Sequence, residues 1–162
     1  MRKCLVSGSF DPITLGHIDI IKRAGGIFDS IYAVMLINPE KEYLFTREQR
    51  IKMLELSVQG IAIADFYDGY TVDYCSNNGI NYIVRGIRTT DSYAYEHKIN
   101  EINKSLNPDI ETIYIPSSPE YRHISSSLIR EKLIKGEDVS PYVPAQIADI
   151  IGEYYGDRNT HK

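Results

Sequence analysis

The chain has 162 residues, of which 43% are hydrophobic and 25% are charged, and its formal net charge is −4. A chain of this length supports one globular domain with a single core, because it can bury roughly 70% of the surface of its unfolded form. The excess of acidic residues excludes a general attraction to nucleic acid or to anionic membranes. A site for an anion must therefore gather its basic residues locally.

The cysteines and the first residues of the sequence indicate the cellular compartment of the protein. Cys4 and Cys75 have no CxxC spacing and no histidine partners at zinc spacing, so we expect two reduced, buried thiols. The apolar run after Lys3 ends at Gly8 and is too short for a signal peptide or a membrane span. These observations predict a cytoplasmic protein that has no membrane partner.

Apolar and amphipathic segments alternate along the chain. Short apolar runs predict five strands at residues 4–6, 31–37, 61–66, 80–84 and 110–115. Segments with apolar residues at helical spacing follow the strands, and they predict helices that begin near Gly16, Thr46, Val72, Asp91, Ser125 and Pro144. The uncharged run 31–37 is typical of a central strand that is covered on both faces.

This alternation predicts an α/β fold with a doubly wound, five-stranded parallel sheet and right-handed crossovers. The sequence contains no internal repeat and no linker, so we expect one domain over residues 1–156. Residues 157–162 are polar, and we expect them to form a disordered tail. In sheets of this kind ligands bind at the carboxyl ends of the strands, near the point where the strand order reverses.

The loop from Gly8 to His17, with the sequence GSFDPITLGH, joins the first strand to the first helix. Its glycines let a ligand approach the backbone, and Asp11-Pro12 predicts a turn. His17 stands in the first helical turn, where unpaired backbone N–H groups attract anions. One interpretation is a phosphate site, and the other is an ordinary turn beside a capping histidine.

Other residues suited to phosphate also follow predicted strands. Ser9 comes after the first strand, Lys41 after the second, and Arg85 and Arg88 after the fourth. The segment PSSPEYRHISSSLIR at 116–130 follows the fifth strand and places hydroxyl groups at the start of a helix. Each feature alone is commonly a surface charge or a helix cap, but their convergence on one sheet edge favours phosphate chemistry.

The strings GSFDPITLGH and ISSSLIR resemble the two signatures of the HxGH nucleotidyltransferase superfamily, with Thr14 in place of the first histidine. With YIVRGIR and YEHKIN between them, the chain resembles bacterial phosphopantetheine adenylyltransferases over nearly its whole length. The resemblance implies a Rossmann-like nucleotidyltransferase fold. It also implies in-line transfer of the adenylyl group of ATP to 4′-phosphopantetheine, giving dephospho-CoA and pyrophosphate in the penultimate step of coenzyme A biosynthesis.

The resemblance implies roles for individual positions. His17 would be catalytic through a hydrogen bond to the α-phosphate, and Ser9, Lys41, Thr71 and Arg85 would bind phosphopantetheine. The positions implied at the ATP site are Ser9, Phe10, His17, Gly86, Ile87, Arg88, Glu96, Tyr121, Arg122, His123, Ile124, Ser125, Ser126 and Ser127. Glu96 has a second interpretation, as the buried partner of a neighbouring arginine.

The resemblance also implies a cation and an assembly. Mg²⁺ is expected with ATP, held mostly by phosphate oxygens and water, because the sequence shows no dense carboxylate cluster and we expect no metal ligands from the chain. The family forms homohexamers of two stacked trimers, which no pattern in this sequence indicates independently. Ser9 and Tyr121 depart from the family, which usually has threonine and often tryptophan at these positions.

Three other functions are alternatives to adenylyl transfer to 4′-phosphopantetheine. A sister transferase that acts on nicotinamide mononucleotide or glycerol phosphate would share both signatures, whereas the chain length, Lys41 and the YEHKIN string favour pantetheine. A noncatalytic regulator would be expected to lose His17, Arg88 or the serines, and all of these are present. A nucleic-acid binder is disfavoured, because the chain is acidic and has no basic stripe.

Overall fold

The computed structural model describes residues 1–38 and 41–160, with the backbone alone for 157–160. Its five strands are Lys3–Gly8 (β1), Ser30–Leu36 (β2), Ile63–Tyr67 (β3), Tyr82–Ile87 (β4) and Glu111–Pro116 (β5). The helices are Leu15–Ala24 (α1), Arg47–Val58 (α2), Thr71–Asn78 (α3), Thr90–Leu106 (α4), Ser126–Ile134 (α5) and Ala148–Thr160 (α6). Within the described residues, no helix is long and apolar enough to cross a membrane.

The strands form one parallel sheet in the order β3-β2-β1-β4-β5, which confirms the predicted fold class. The strand order reverses at β1, because the chain builds outward through β2 and β3 and then returns to place β4 on the other side of β1. The middle strand is therefore β1, and β2 is an interior strand beside it. The crevice between the carboxyl ends of β1 and β4 is the position at which such sheets bind ligands.

The two faces of the sheet carry separate apolar cores. Leu5 of β1 and Ile83 of β4 pack with α3 on one face. Val6 and Val84 point to the other face, in a larger cluster that includes residues of α1, α2, α5 and α6. Because side chains alternate along a strand, Ser7 and Arg85 lie on the same face as Leu5 and Ile83.

The ends of several helices follow the sequence signals. Thr46 and Gln49 form the predicted capping box of α2, in which each side chain accepts a hydrogen bond from the other residue's backbone N–H. Ser125 caps α5 as expected, and Gly79 ends α3 with a φ of 62°, a conformation that favours glycine. Both cysteines are free and buried, as predicted.

The last helix differs from its prediction. A short turn of 3₁₀ helix at Ala145–Ile147 precedes α6, which then continues to Thr160. The helix thus extends beyond Tyr155, to which it was predicted to run, and residues 161–162 lie outside the described part. The helix can continue because no proline follows Tyr155, and a glycine such as Gly156 costs a helix only about 1 kcal/mol.

Gly86 allows α1 to lie against the end of β4. A Cβ at this position would come within 2.8 Å of Cγ1 of Ile20, a contact too short for real atoms. The missing side chain thus lets the helix approach the carboxyl edge of the sheet. This approach brings His17, in the first turn of the same helix, to the crevice beside β4.

Candidate active site

Two adjoining cavities open at the carboxyl edge of the sheet. The first has a volume of about 320 Å³ and the second a volume of about 580 Å³. Both are lined by Ser7, Arg85 and Glu96, so these three residues form the wall that the cavities share.

The first cavity brings together most of the predicted site residues. Its walls come from the loop after β1, the first turn of α1, the end of β4 and the start of α5. The predicted residues that line it are Ser9, His17, Lys41, Arg85, Gly86, Arg88, Glu96, Tyr121, Ile124, Ser125 and Ser126. The expected convergence of strand ends on one site is confirmed, although Pro39 and Glu40, beside Lys41, lie outside the described residues.

Six predicted residues do not line the first cavity. Thr71 lines the second cavity, whereas neither cavity is lined by Phe10, Ile87, Arg122, His123 or Ser127. Phe10 is 1% exposed, and its ring meets that of His17 edge to face with 5.1 Å between centroids. Phe10 therefore supports His17 and the loop after β1 by packing, because a buried apolar ring fixes its neighbours.

His17 takes part in the cap of its own helix. The Thr14 side chain accepts from the His17 backbone N–H at 3.2 Å, and the Thr14 backbone N–H donates to Nδ1 of His17 at 3.1 Å. An Nδ1 that accepts a hydrogen bond cannot carry the ring proton, so in the neutral imidazole the proton is on Nε2. The capping box therefore presents His17 as an Nε2–H donor.

The surroundings of His17 keep its ring neutral. Burial, reinforced by the positive charges of Arg88 and Arg85, lowers the pKa of His17 from 6.5 to about 4. Desolvation and like charge both disfavour the imidazolium form. At neutral pH the site therefore contains a hydrogen-bond donor at this position that is not a cation.

Arg85 is held by contacts on both sides of its guanidinium group. Its Nε and Nη2 donate to the two Glu96 oxygens, each at 2.7 Å, and its Nη1 donates to the Ser7 backbone carbonyl and, at 3.1 Å, to the Ser7 hydroxyl. Glu96 is 9% exposed. The structure agrees with the second interpretation of Glu96, as the buried partner of an arginine, and a two-point pair of this kind fixes orientation.

The hydroxyl groups of Ser125, Ser126 and Ser127 all form hydrogen bonds within the protein. Ser126 donates its hydroxyl proton to the Pro12 carbonyl at 2.7 Å, and the Ser127 hydroxyl accepts from Arg130 at 3.0 Å. The Ser125 hydroxyl accepts the capping N–H of the helix, which does not require its own proton. The first turn of α5 therefore attracts an anion chiefly through backbone N–H groups, with Ser125 as a further donor.

Contacts that the sequence did not predict hold the loop after β1 in place. Arg50, 2% exposed, donates to the Ser9 backbone carbonyl at 2.9 Å. The Asp11 carboxylate accepts from the Leu44 and Phe45 backbone N–H groups at 2.9 and 3.0 Å. These contacts join residues more than 30 positions apart, so no local pattern could have predicted them.

The lining of the second cavity was also missed, apart from Thr71 and the shared wall. Most of it comes from α4 and from the loop before α3, and it includes Tyr70, Tyr95, Ile99, Asn100, Ile102, Asn103 and Thr112. Apolar residues recur at helical spacing on α4, which indicated a buried face rather than a cavity. Only the tertiary arrangement shows that this face borders an open space.

The chemistry of the first cavity suits a polyanion. Lys41, Arg85 and Arg88 supply positive charge, and the N-termini of α1 and α5 add backbone N–H groups. In the described part of the chain, no three His, Cys, Asp or Glu side chains gather to hold a metal ion. The first cavity can therefore align and neutralise phosphate groups. The fold of the chain and the chemistry of this cavity are those of a nucleotidyltransferase.

Comparison with known proteins supports the class of nucleotidyltransferases and indicates a particular family within that class. The cytidylyltransferase-like family matches residues 5–132. The chain is 40% identical to the phosphopantetheine adenylyltransferase of Shouchella clausii, over 96% of this chain and 99% of that protein. It is 39% identical to the phosphopantetheine adenylyltransferase of Staphylococcus carnosus, over 95% of this chain and 97% of that protein.

A solved structure from Vibrio parahaemolyticus, assigned as a nicotinate-nucleotide adenylyltransferase, has the same fold, with a TM-score of 0.69, 20% identity and 96% coverage of both chains. At this identity the likeness concerns the fold alone. The sequence relatives are closer and cover nearly the full chain. The chain belongs to the phosphopantetheine adenylyltransferase family.

The protonation of His17 is directly measurable. We expect its ring resonances, followed by NMR and assigned with a His17→Gln variant, to titrate with a midpoint near pH 4. Because the folded-state pKa lies below the unfolded value, this group stabilises the fold fully above pH 6.5, and that stabilisation is lost as the pH falls toward 4. A midpoint near 6.5 would contradict the burial and the cationic surroundings described above.

Proposed function

We propose that the chain transfers the adenylyl group of ATP to 4′-phosphopantetheine, forming dephospho-CoA and releasing pyrophosphate. Two adjoining cavities that share Arg85 carry this proposal, because the reaction must bring two phosphorylated substrates together at one point. The printed names of the family relatives support the choice of acceptor.

In this proposal ATP occupies the first cavity. Arg88 and the first turn of α5 face its phosphates, and Tyr121 and Ile124 offer the less polar surface that a base needs. Gly86, which lets α1 lie against β4, also lines this cavity, so its backbone would lie beside the nucleotide. Ile87, Arg122, His123 and Ser127 keep the roles implied by resemblance only if ATP binding reaches beyond the cavity.

The phosphopantetheine arm would occupy the second cavity. This cavity is larger, and Ile99, Ile102 and Tyr95 give it an apolar wall suited to a long chain of methylene and amide groups. Its shared wall contains Arg85, which would bind the terminal phosphate together with Lys41 and Ser9 from the first cavity. Thr71, at the start of α3, would lie beside the arm.

The chemistry requires alignment and neutralisation. A phosphate oxygen of the acceptor forms a bond to the α-phosphorus of ATP, and the bond from that phosphorus to the bridging oxygen of pyrophosphate breaks. The attacking group is already an anion and needs no general base. Arg85 and Lys41 offset the repulsion between the substrates, and the Nε2–H of His17 donates to the α-phosphate, where charge develops.

The nucleotide substrate is proposed to be MgATP. The polar side chains that line the first cavity carry cationic, imidazole and hydroxyl groups, and the one lining carboxylate, that of Glu96, is paired with Arg85. This donor set fits a magnesium ion that takes its ligands from phosphate oxygens and water. Two free, buried cysteines support the further proposal that the protein works in the reducing cytoplasm.

We also propose a homohexamer of two trimers, as in the family. Ile63 and Phe66, on the edge strand β3, are 50% and 44% exposed, and the outer edge of a sheet with exposed apolar side chains favours association. Sedimentation equilibrium should give six times the chain mass of 18.5 kDa. A concentration-independent mass of one chain would contradict this proposal.

Replacement of His17 tests the proposed transition-state contact. We expect His17→Ala to lower kcat by roughly 10²–10³-fold, the usual effect of losing one donor to a developing oxyanion. The assay is pyrophosphate release from ATP and 4′-phosphopantetheine, with the fold checked by circular dichroism. His97→Ala is the matched control, because His97 is exposed and lines neither cavity. Near-normal turnover by a folded His17→Ala variant would exclude this role.

Replacement of Lys41 tests whether this residue binds the acceptor substrate rather than ATP. We expect Lys41→Ala to raise the KM for 4′-phosphopantetheine about tenfold and the KM for ATP less than twofold, because a lost charged hydrogen bond is worth about 1.5 kcal/mol. Lys52→Ala, on the exposed surface of α2, is the matched control. An equal rise in both constants would refute the assignment of Lys41 to the acceptor phosphate.

A further inference from the structure

A cluster of polar side chains joins α1 to the β5–α5 loop, which spans residues 117–125. The Ser118 hydroxyl donates to the Asp19 carboxylate, at 3.0 and 2.9 Å from its two oxygens, and the Ser118 backbone N–H donates to the same group at 3.3 Å. Arg23 donates to Asp19 at 3.2 Å and to the Pro116 carbonyl at 2.7 Å. The Asp19 side chain is 11% exposed, so these charge-assisted hydrogen bonds are largely shielded from water and hold the loop to the helix.

The contacts between α1 and the loop follow one face of the helix. Gly16, Asp19 and Arg23 are separated by three and four residues and therefore lie on the same side of α1. A Cβ on Gly16 would be 3.7 Å from the backbone carbonyl oxygens of Tyr121 and Ile124, so the helix backbone lies close to the end of the loop. Asp19 and Arg23 contact progressively earlier residues of the same segment. The helix thus runs beside the loop in the opposite direction over about 10 Å, at about 1.5 Å for each residue.

Hydrogen bonds within the loop connect Ser118 to the first cavity. The Ser118 carbonyl accepts from the Tyr121 backbone N–H at 3.0 Å, and the Tyr121 carbonyl accepts from the Ile124 backbone N–H at 2.9 Å. Tyr121 and Ile124 line the first cavity, whereas Asp19 and Ser118 line neither cavity. Asp19 would therefore act on a bound nucleotide through the loop and not by direct contact.

We infer that Asp19 is a positioning residue for the nucleotide. Through Ser118 it fixes the wall formed by Tyr121 and Ile124, on which the base would lie, relative to α1. His17 stands two positions earlier on the same helix, so one rigid element holds both the donor to the α-phosphate and the wall for the base. This inference rests on the proposed function, which places ATP in the first cavity. Without the carboxylate, the loop occupies its binding-competent position for a smaller fraction of the time, and the affinity for ATP falls by that fraction.

The variant Asp19→Ala tests the inference by its affinity for MgATP, measured by isothermal titration calorimetry without an acceptor. We expect the Kd for MgATP to rise about tenfold, as for a lost charge-assisted hydrogen bond, and the KM for 4′-phosphopantetheine to change less than about twofold. A direct electrostatic effect has the opposite sign, because removing a carboxylate near the site would strengthen the binding of a polyanion. Glu55→Gln removes an exposed carboxylate from α2 and is the matched control.

Variants of the partner residue test whether Asp19 acts through Ser118. We expect Ser118→Ala to raise the Kd for MgATP about threefold, because its backbone N–H still reaches Asp19. The double variant should bind about as weakly as Asp19→Ala alone, since both changes remove the same contact. Ser118→Thr keeps the hydroxyl and should bind MgATP nearly as the wild type does. Effects that multiply in the double variant would contradict action through this contact.

The remaining outcomes separate this inference from the proposed function. If the wild type binds MgATP but transfers nothing to 4′-phosphopantetheine, the proposed function fails, and the Kd values still decide the role of Asp19. If a folded Asp19→Ala variant binds MgATP as tightly as the wild type, the inference is overturned, and a lower thermal midpoint would then show a purely structural role. An equal loss of affinity for both substrates would also overturn it. Asp19→Asn, which keeps one acceptor oxygen but loses the charge, gives the same test if the alanine variant does not fold, with an expected rise in Kd of about threefold.

Discussion

The hydrogen bond from the Thr14 backbone N–H to Nδ1 of His17 is the interaction on which the site depends. It satisfies an N–H at the start of α1, and it also decides which ring nitrogen of His17 keeps the proton. Burial and two neighbouring arginines then keep that ring neutral. The hydrogen bond that caps α1 thus also orients the Nε2–H of His17 as a donor. The close contact of α1 with β4 at Gly86 places His17 at the point where the strand order of the sheet reverses.

The second constraint is the Arg85–Glu96 pair in the wall between the cavities. Burying two charges is costly, and such a pair is seldom retained for stability alone. Here both oxygens of Glu96 are bound to Arg85, and the remaining nitrogen reaches Ser7 of β1. The pair fixes the guanidinium group at the place where the phosphate of one proposed substrate would meet that of the other, and it leaves Lys41 and Arg88 to supply most of the net positive charge.

Much of the fold could be predicted from local patterns. The apolar runs, the Thr46 capping box and Gly79 each report a local preference, and the structure has the corresponding elements. The convergence of Ser9, Arg85 and Ser125 followed from one topological rule about strand ends. The contact of Arg50 with Ser9 joins distant segments and becomes visible only when the sheet is assembled. The serine hydroxyls were harder to assign, because a cap and a phosphate ligand use the same residue type.

The central claim is that this pair of cavities joins ATP to a phosphopantetheine acceptor. The most direct measurement is pyrophosphate release from MgATP with 4′-phosphopantetheine, beside parallel reactions with nicotinamide mononucleotide and glycerol 3-phosphate. We expect release with phosphopantetheine only, with dephospho-CoA as the second product. Release with another acceptor alone would keep the fold and the phosphate site but contradict the assignment of the second cavity, and release with none of them would contradict catalysis itself.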